Sequence, residues 1–210
     1  MLLALDTSTA YVSVAVFDDD QLTVRAERNE VGPMRHAELL APTITACLDD
    51  AGLVCQELTA IVVGVGPGPY TGLRVGVVTA LTLADALRIP AYGVCSLDAI
   101  ASESGVLEPL VATSDARRKE LFYAEYDAGQ RLGGPLVAKP DRIDIAGRVV
   151  TGAGHRLYPD VLPAAVPPPY PHAAVLASLV ARELVEVLAP EPIYLRRPDA
   201  VAPGAPKKVS

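Results

Sequence analysis

The segment Gly64-Val65-Gly66-Pro67-Gly68-Pro69-Tyr70-Thr71-Gly72-Leu73-Arg74-Val75-Gly76 constrains this 210-residue chain more than any other. Five glycines and two prolines in thirteen residues break both helix and strand. An apolar run, Ala60 to Val65, precedes them, and a long apolar stretch to Arg88 follows. The spacing therefore predicts a buried strand, a tight turn and a helix from Thr71 to Arg88. Thr71 is the expected N-cap. Two phosphate-binding loops are excluded. No Lys-Ser/Thr follows at Walker A spacing, and the third glycine position of the dinucleotide fingerprint is Pro69. Gly72 and Gly76 stand four apart on one helix face, so a second backbone can approach there. The residues alone leave two uses of the turn open: close packing, or anion binding at the glycines.

The helix after the turn is apolar most of the way round, with Arg74, Asp85 and Arg88 its only charges. Such a helix is buried on more than one side. One face covers its own sheet, and the other faces either the remainder of the chain or a partner.

The rest of the chain falls into a half-repeat. Leu2 to Leu5, Tyr11 to Phe17 and Gln21 to Glu27 read as an antiparallel meander turning at Asp18-Asp19-Asp20. A helix from Met34 to Asp50, kinked at Pro42, leads into the strand before the glycines. Ala91 to Cys95 is a strand and Ser96 to Ala101 a short helix. The pattern then restarts with Pro109 to Ser114, Glu120 to Tyr126 and Gln130 to Ala138. Val149 to Thr151 is a strand entering Gly152-Ala153-Gly154, and His172 to Leu188 reads as a helix ended by Pro190 and Pro192. In place of a second crossover helix stands Lys139 to Gly147, interrupted by Pro140. The double β-β-β-α-β-α pattern resembles the actin-like ATPase (ASKHA, ribonuclease H-like) fold. It implies an α/β protein of two subdomains, 1–100 and 101–197, the second degenerate, with a flexible tail at 198–210.

Composition excludes several classes. Net charge is −7, with 18 basic against 25 acidic residues, so a stand-alone nucleic-acid binder is disfavoured. Three cysteines without a CxxC pair make neither a disulfide framework nor a thiolate zinc site. His36, His155 and His172 are far apart, with Leu40 where a second ligand to His36 would stand, so no metal site is expected. There is no GxSxG or HExxH. No signal peptide or membrane span is read, and a cytoplasmic protein is expected.

The turn sequence GPGPYTGLRVG is similar to the hallmark segment of the TsaB (YeaZ) family. LALDTST, the His36 helix with Pro42, SDARRKELFYAEY, VVTGAG and EPIYLR match in the same order. The resemblance implies a non-catalytic subunit that dimerises with a TsaD-type protein. TsaD would then transfer a threonylcarbamoyl group to N6 of adenosine 37 in tRNAs reading ANN codons. A TsaE-type ATPase would be a third component, tRNA would be met only indirectly, and ATP or ADP could sit only at the complex interface.

By the same resemblance the partner surface is His36, Leu39, Leu40 and Thr43 on the first helix, with Leu73, Arg74, Val77, Val78 and Leu81 on the second. The hallmark turn is Gly66, Pro67, Gly68, Tyr70, Thr71 and Gly72. The fold's nucleotide-binding positions correspond to Asp6, Thr7, Ser8, Gly152 and Gly154. Its second phosphate loop corresponds to Asp115-Ala116-Arg117-Arg118, where bulky side chains replace a glycine nest. That erosion disfavours an autonomous sugar-kinase-like phosphotransferase, and the missing His pair disfavours a metallopeptidase. The apolar helices could also form a homodimer.

Overall fold

The computed structural model describes residues 1–32 and 34–196. The expected tail 198–210, with Lys207-Lys208, and Arg197 of the basic pair Arg196-Arg197 lie outside these residues. Strands β1 (Leu2–Asp6), β2 (Tyr11–Asp18), β3 (Thr23–Val31), β4 (Ala60–Gly64) and β5 (Ala91–Val94) form one sheet in the order β3-β2-β1-β4-β5. β1, β2 and β3 are antiparallel neighbours, whereas β4 runs parallel to β1 and β5 parallel to β4. The two parallel steps are made through helices α1 (His36–Ala51) and α2 (Tyr70–Leu87).

Alternation along the strands decides which helix each face receives. Leu3, Leu5, Val12, Val14, Val16, Ile61 and Val63 pack against Leu40, Ile44 and Cys47 of α1 and Val77, Ala80 and Ala84 of α2. Leu2, Ala4, Ala15, Phe17, Ala60 and Val62 point the other way. They are covered by α5 (Ala173–Ala181), which comes from the far end of the chain. Ser13 Oγ accepts the Ala173 N–H at 2.8 Å, fixing the start of α5 to β2.

The second sheet repeats the first in shortened form. β6 (Leu110–Asp115) pairs antiparallel with β7 (Leu121–Asp127) and parallel with β10 (Val149–Gly152). β8 (Gln130–Arg131) and β9 (Leu136–Ala138) both pair with β7. Thus β10-β6-β7-β8/β9 stands where β4-β1-β2-β3 stands in the first sheet. The crossover from β9 to β10 contains only a single 3-10 turn, Pro140–Arg142. Helix α3 (Ser96–Glu103) lies between the sheets and packs Leu97 and Ile100 on Leu110, Ala112 and Tyr126 of the second. Residues 154–157 form a single helical turn, α4. This is the actin-like α/β architecture with a degenerate second half.

Some elements differ from the sequence reading. The predicted third strand of the second meander is split at Gly133-Gly134 into β8 and β9. Pro42 lies inside a helix that continues to Ala51. Pro69, not Thr71, is the N-cap of α2; its fixed φ of −60° starts the helix without a side-chain cap. The predicted helix from His172 to Leu188 stops at Ala181. Glu183 takes a left-handed φ of 55°, and the chain then runs extended so that Leu188 pairs with Gly93 on the open edge of β5. Pairing that sheet edge outweighs local helix propensity. Among the described residues no helix is long and apolar enough to cross a membrane.

Candidate functional site

The turn after β1 is filled by the glycine-rich segment. Asp6, Thr7 and Ser8 are each 1% exposed. Gly68 abuts the Ser8 carbonyl, and a methyl group on Gly72 would stand 2.6 Å from the Thr7 carbonyl oxygen. Thr7 Oγ1 donates to the Gly72 carbonyl at 2.7 Å. The spacing of glycines thus serves close approach of two backbones, one of the two uses the sequence left open. His36 is held to the same turn: its Nε2 lies 2.6 Å from the Thr9 carbonyl oxygen.

Asp6 is buried and both of its carboxylate oxygens are hydrogen-bonded within the chain. Its Oδ1 accepts the Ser8 N–H and the Ser8 hydroxyl, both at 2.7 Å, and its Oδ2 accepts the Ser96 hydroxyl at 2.5 Å. Ser96 Oγ in turn accepts the Gly66 N–H at 3.2 Å. Burial holds the Asp6 carboxyl above its ordinary pKa, against the opposing effect of these bonds. On the second sheet, Gly152 (φ 88°) closes on the Thr113 backbone, and the Gly154 N–H donates to Thr113 Oγ1 at 3.0 Å. Asp6, Thr7, Ser8, Gly152 and Gly154 are thus each engaged by the chain itself. The same groups form a packed joint, and Ser96, which closes it, has no signal in the sequence. Among the described residues no three His, Cys, Asp or Glu side chains gather as metal ligands.

The helix residues assigned to a partner surface separate into two sets. Leu40, Thr43, Leu73 and Val77 are buried in the chain's own core. Leu40 and Val77 fill the space between α1, α2 and the sheet, Leu73 lies against Gly66 of the turn, and the Thr43 hydroxyl donates back to the Leu39 carbonyl, so none of the four faces outward. Leu39 and His36 are half-buried. Arg74, Val78 and Leu81 are exposed, Val78 by 58% and Leu81 by 42%. Positions 74, 78 and 81 recur at helix spacing and form one stripe along α2.

Three distant segments meet at the start of this stripe. Tyr70 stacks on Tyr194 with ring centroids 5.0 Å apart. The Arg74 guanidinium lies 4.1 Å over the Tyr70 ring, and its Nε donates to the Tyr194 hydroxyl at 3.0 Å. Two residues on, Arg196 pairs with Glu120 and donates to the Ala116 carbonyl at 3.0 Å. Between those anchors Arg117, Arg118 and Lys119 take φ angles of 59°, 53° and 60°. Left-handed backbone costs a non-glycine residue roughly 1–2 kcal/mol. Three in succession persist because Asp115 Oδ1 accepts the Arg117 N–H at 2.7 Å and Ala116 and Glu120 close the turn. The segments GPGPY, SDARRKE and YLR thus form one structural unit.

A second buried polar cluster lies behind α3. Asp98 Oδ1 accepts the Tyr126 hydroxyl at 2.7 Å and Arg131 Nε at 2.9 Å. Burial raises the pKa of Asp98, against the pull of both partners.

Comparison with known proteins identifies the relatives of this chain. A family profile described as TsaD, tRNA N6-adenosine threonylcarbamoyltransferase, matches residues 30–159. The TsaB protein of Escherichia coli is 31% identical over 175 residues, covering 76% of this chain and 74% of that protein. The chain belongs to the TsaB (YeaZ) family. The structure of YeaZ from Pseudomonas aeruginosa superposes on this member with a TM-score of 0.76 at 32% identity, covering 92% of this chain and 99% of that one. Uncharacterised proteins of Mycobacterium tuberculosis and Mycobacterium leprae are each 43% identical across 95% of this TsaB-family chain. The match spans 93% of the former but only 56% of the latter, so the chain covers little more than half the length of that relative.

Proposed function

We propose that this chain is a non-catalytic subunit in the biosynthesis of threonylcarbamoyladenosine on tRNA, acting by pairing with a TsaD-type protein. The name of the E. coli relative, tRNA threonylcarbamoyladenosine biosynthesis protein TsaB, supports the pathway. The observation that carries the subunit role is the state of Asp6. In an actin-like ATPase the corresponding carboxylate must be open to a hydrated cation. Here the carboxyl is 1% exposed, its oxygens are hydrogen-bonded to Ser8 and Ser96, and Gly64 at the end of β4 lies against Oδ2. The chemistry of transfer to adenosine 37 then belongs to the partner, with a TsaE-type ATPase as a further component and any nucleotide at the complex interface.

The exposed stripe Arg74, Val78 and Leu81 on α2 is the surface we assign to the partner, continued by Leu39 on α1. An apolar stripe beside a cation suits helix-to-helix packing against a second protein. The test is the solution mass of this chain mixed with the TsaD-type protein of the same organism. Wild type is expected to give a one-to-one species, and Val78→Glu with Leu81→Glu to abolish it while melting like wild type. If wild type stays separate at micromolar concentration, with and without ATP, the partner role is refuted. If the double variant still binds, the surface lies elsewhere.

A further inference from the structure

Two cavities flank the left-handed turn, and Arg117 and Pro69 line both. The first, about 170 Å³, is bounded by the hallmark turn, the 116–118 segment, Phe122 and residues 194–196. The second, about 220 Å³, is bounded by Thr9, Ala10, Asp115, Ala153, Arg156 and Tyr170. Their linings contain four arginines, Arg117, Arg118, Arg156 and Arg196, and one carboxylate, Asp115. Lys119, exposed, extends the row. Two carboxylates answer them in part, Asp115 pairing with Arg117 at 3.5 Å and Glu120 with Arg196, so five cations stand against two carboxylates among the described residues of this region, on a chain whose net charge is −7. Arg117, Arg118 and Lys119 are exposed on three consecutive left-handed residues.

Aromatic faces accompany the charge. Tyr194, 42% exposed, stacks with Tyr70 at one cavity. Tyr170 stacks with Tyr11, centroids 4.2 Å apart, at the other, with Arg156 5.8 Å from the Tyr170 ring. Cationic side chains spaced along a surface, interleaved with aromatic rings, match a polyanionic strand. Each cavity is smaller than the roughly 300 Å³ of a typical small-molecule site. They are two small seats on either side of the turn rather than one pocket for a nucleotide.

We propose that the ridge Arg117-Arg118-Lys119, with Arg156 and Arg196 beside it, binds the phosphodiester backbone of RNA. Given the reading above, on which this inference rests, that RNA is the tRNA brought to the assembled complex. Phosphate contacts position a nucleic acid without reading its sequence, so the ridge would orient tRNA while the partner acts on the base. This makes the subunit a direct, if weak, tRNA contact rather than an indirect one. The chain's overall negative charge keeps the contact weak until a partner adds its own.

The test is fluorescence anisotropy of a fluorescein-labelled tRNA transcript titrated with the full chain, alone and with the TsaD-type protein, between about 50 and 200 mM salt. The variant is Arg117→Asn with Arg118→Asn and Lys119→Asn. Asparagine tolerates left-handed backbone, so the backbone of the turn is kept while the three charges and the Arg117–Asp115 ion pair are lost. Affinity is expected to fall at least about tenfold, and the slope of log K against log salt by about 2–3. Arg117→Lys with Arg118→Lys keeps the charge and is expected to bind within a few-fold of wild type.

Unchanged affinity and slope in the asparagine variant, with an unchanged melting temperature, overturn the proposal. So does the finding that inorganic phosphate or ADP binds wild type but not the variant while tRNA binds both alike; the site would then take small anions only. If the variant melts early, the lysine-retaining variant and the wild-type salt slope decide: a slope near zero overturns the proposal. The solution mass of the complex separates this inference from its premise. A normal complex whose tRNA affinity ignores the ridge refutes only the ridge. Ridge-dependent tRNA binding without any complex refutes only the partner role.

Discussion

Asp6 and Ser96 are 90 residues apart in sequence, and their hydrogen bond joins the end of β1 to the start of α3. If Asp6 is a structural joint, Asp6→Ala must cost stability. The substitution removes an acceptor of three bonds and strands the buried Ser8 N–H. A hydrogen bond to a charged group contributes about 1.5–3 kcal/mol, and an orphaned buried donor costs about 1–3 kcal/mol. Relief of the desolvation that raises the Asp6 pKa offsets part of this. A net loss of about 2–4 kcal/mol is expected, or a fall in Tm of roughly 4–16 °C for a chain of this size.

Ser96→Ala should cost about 1–3 kcal/mol, since it frees Asp6 Oδ2 and the Gly66 N–H together. Because the two side chains touch, the double variant should lose less than the sum, by about 1–2 kcal/mol. Urea denaturation followed by circular dichroism measures all three. Additivity within about 0.5 kcal/mol, or an Asp6→Ala protein as stable as wild type, would refute the joint and return Asp6 to the role of a nucleotide-site carboxylate.

Other consequences follow from single residues. Gly72→Ala gains helix propensity of about 1 kcal/mol yet should lose about 1–3 kcal/mol net, because its new methyl meets the Thr7 carbonyl at 2.6 Å; urea midpoints against Gly134→Ala, where nothing stands within 4 Å, measure the difference. Val77→Glu buries an unpaired charge and should unfold the protein, whereas Val78→Glu should stay within about 0.5 kcal/mol of wild type; thermal melts of the isolated chain distinguish them. The bond to Glu103 raises the pKa of His172 above 6.5. The pair therefore stabilises fully below pH 6.5 and its contribution disappears as pH rises through the folded pKa. Glu103→Gln should narrow its deficit over that window, from under about 1 kcal/mol, in melts run from pH 5.5 to 8.5 in steps of about 0.5. Burial pushes the thiols of Cys47 and Cys95 up to about 11 and about 12, so a thiolate-directed reagent at pH 8 should label half-buried Cys55 first.

Much of the fold was legible because strand alternation and helix spacing are strong in the first hundred residues. Leu3 and Leu5 against Leu2 and Ala4 already announce a sheet covered on both faces. The span from Arg182 to Leu188 misled because RELVEVL has good helical spacing. Its fate was decided by the free edge at Gly93, which no local pattern reveals. The α2 face was unreadable for a related reason. When Leu73, Val77, Val78 and Leu81 are all apolar, periodicity cannot say which pair is inside. The packing use of the glycines was visible in the spacing of Gly72 and Gly76, but the identity of the approaching backbone, Thr7 and Ser8, was not. Nor did Ser96 or the Tyr70–Tyr194 stack leave a trace, because hydrogen bonds and ring contacts across 90 to 124 positions depend on the whole fold.

The cover supplied by α5 and by Leu188 and Ile193 gives the sequence order a consequence for synthesis. The first sheet is encoded by residue 94, but one of its faces stays bare and β5 stays unpaired on its outer side until residues 173–193 have left the ribosome. Leu2, Ala4, Phe17 and Val62 would meanwhile face water. A nascent chain stalled near residue 130 should accordingly be a substrate for chaperones that bind apolar segments. Protease resistance of the first hundred residues should arrive late in translation, in one step, when the last turn of α5 docks.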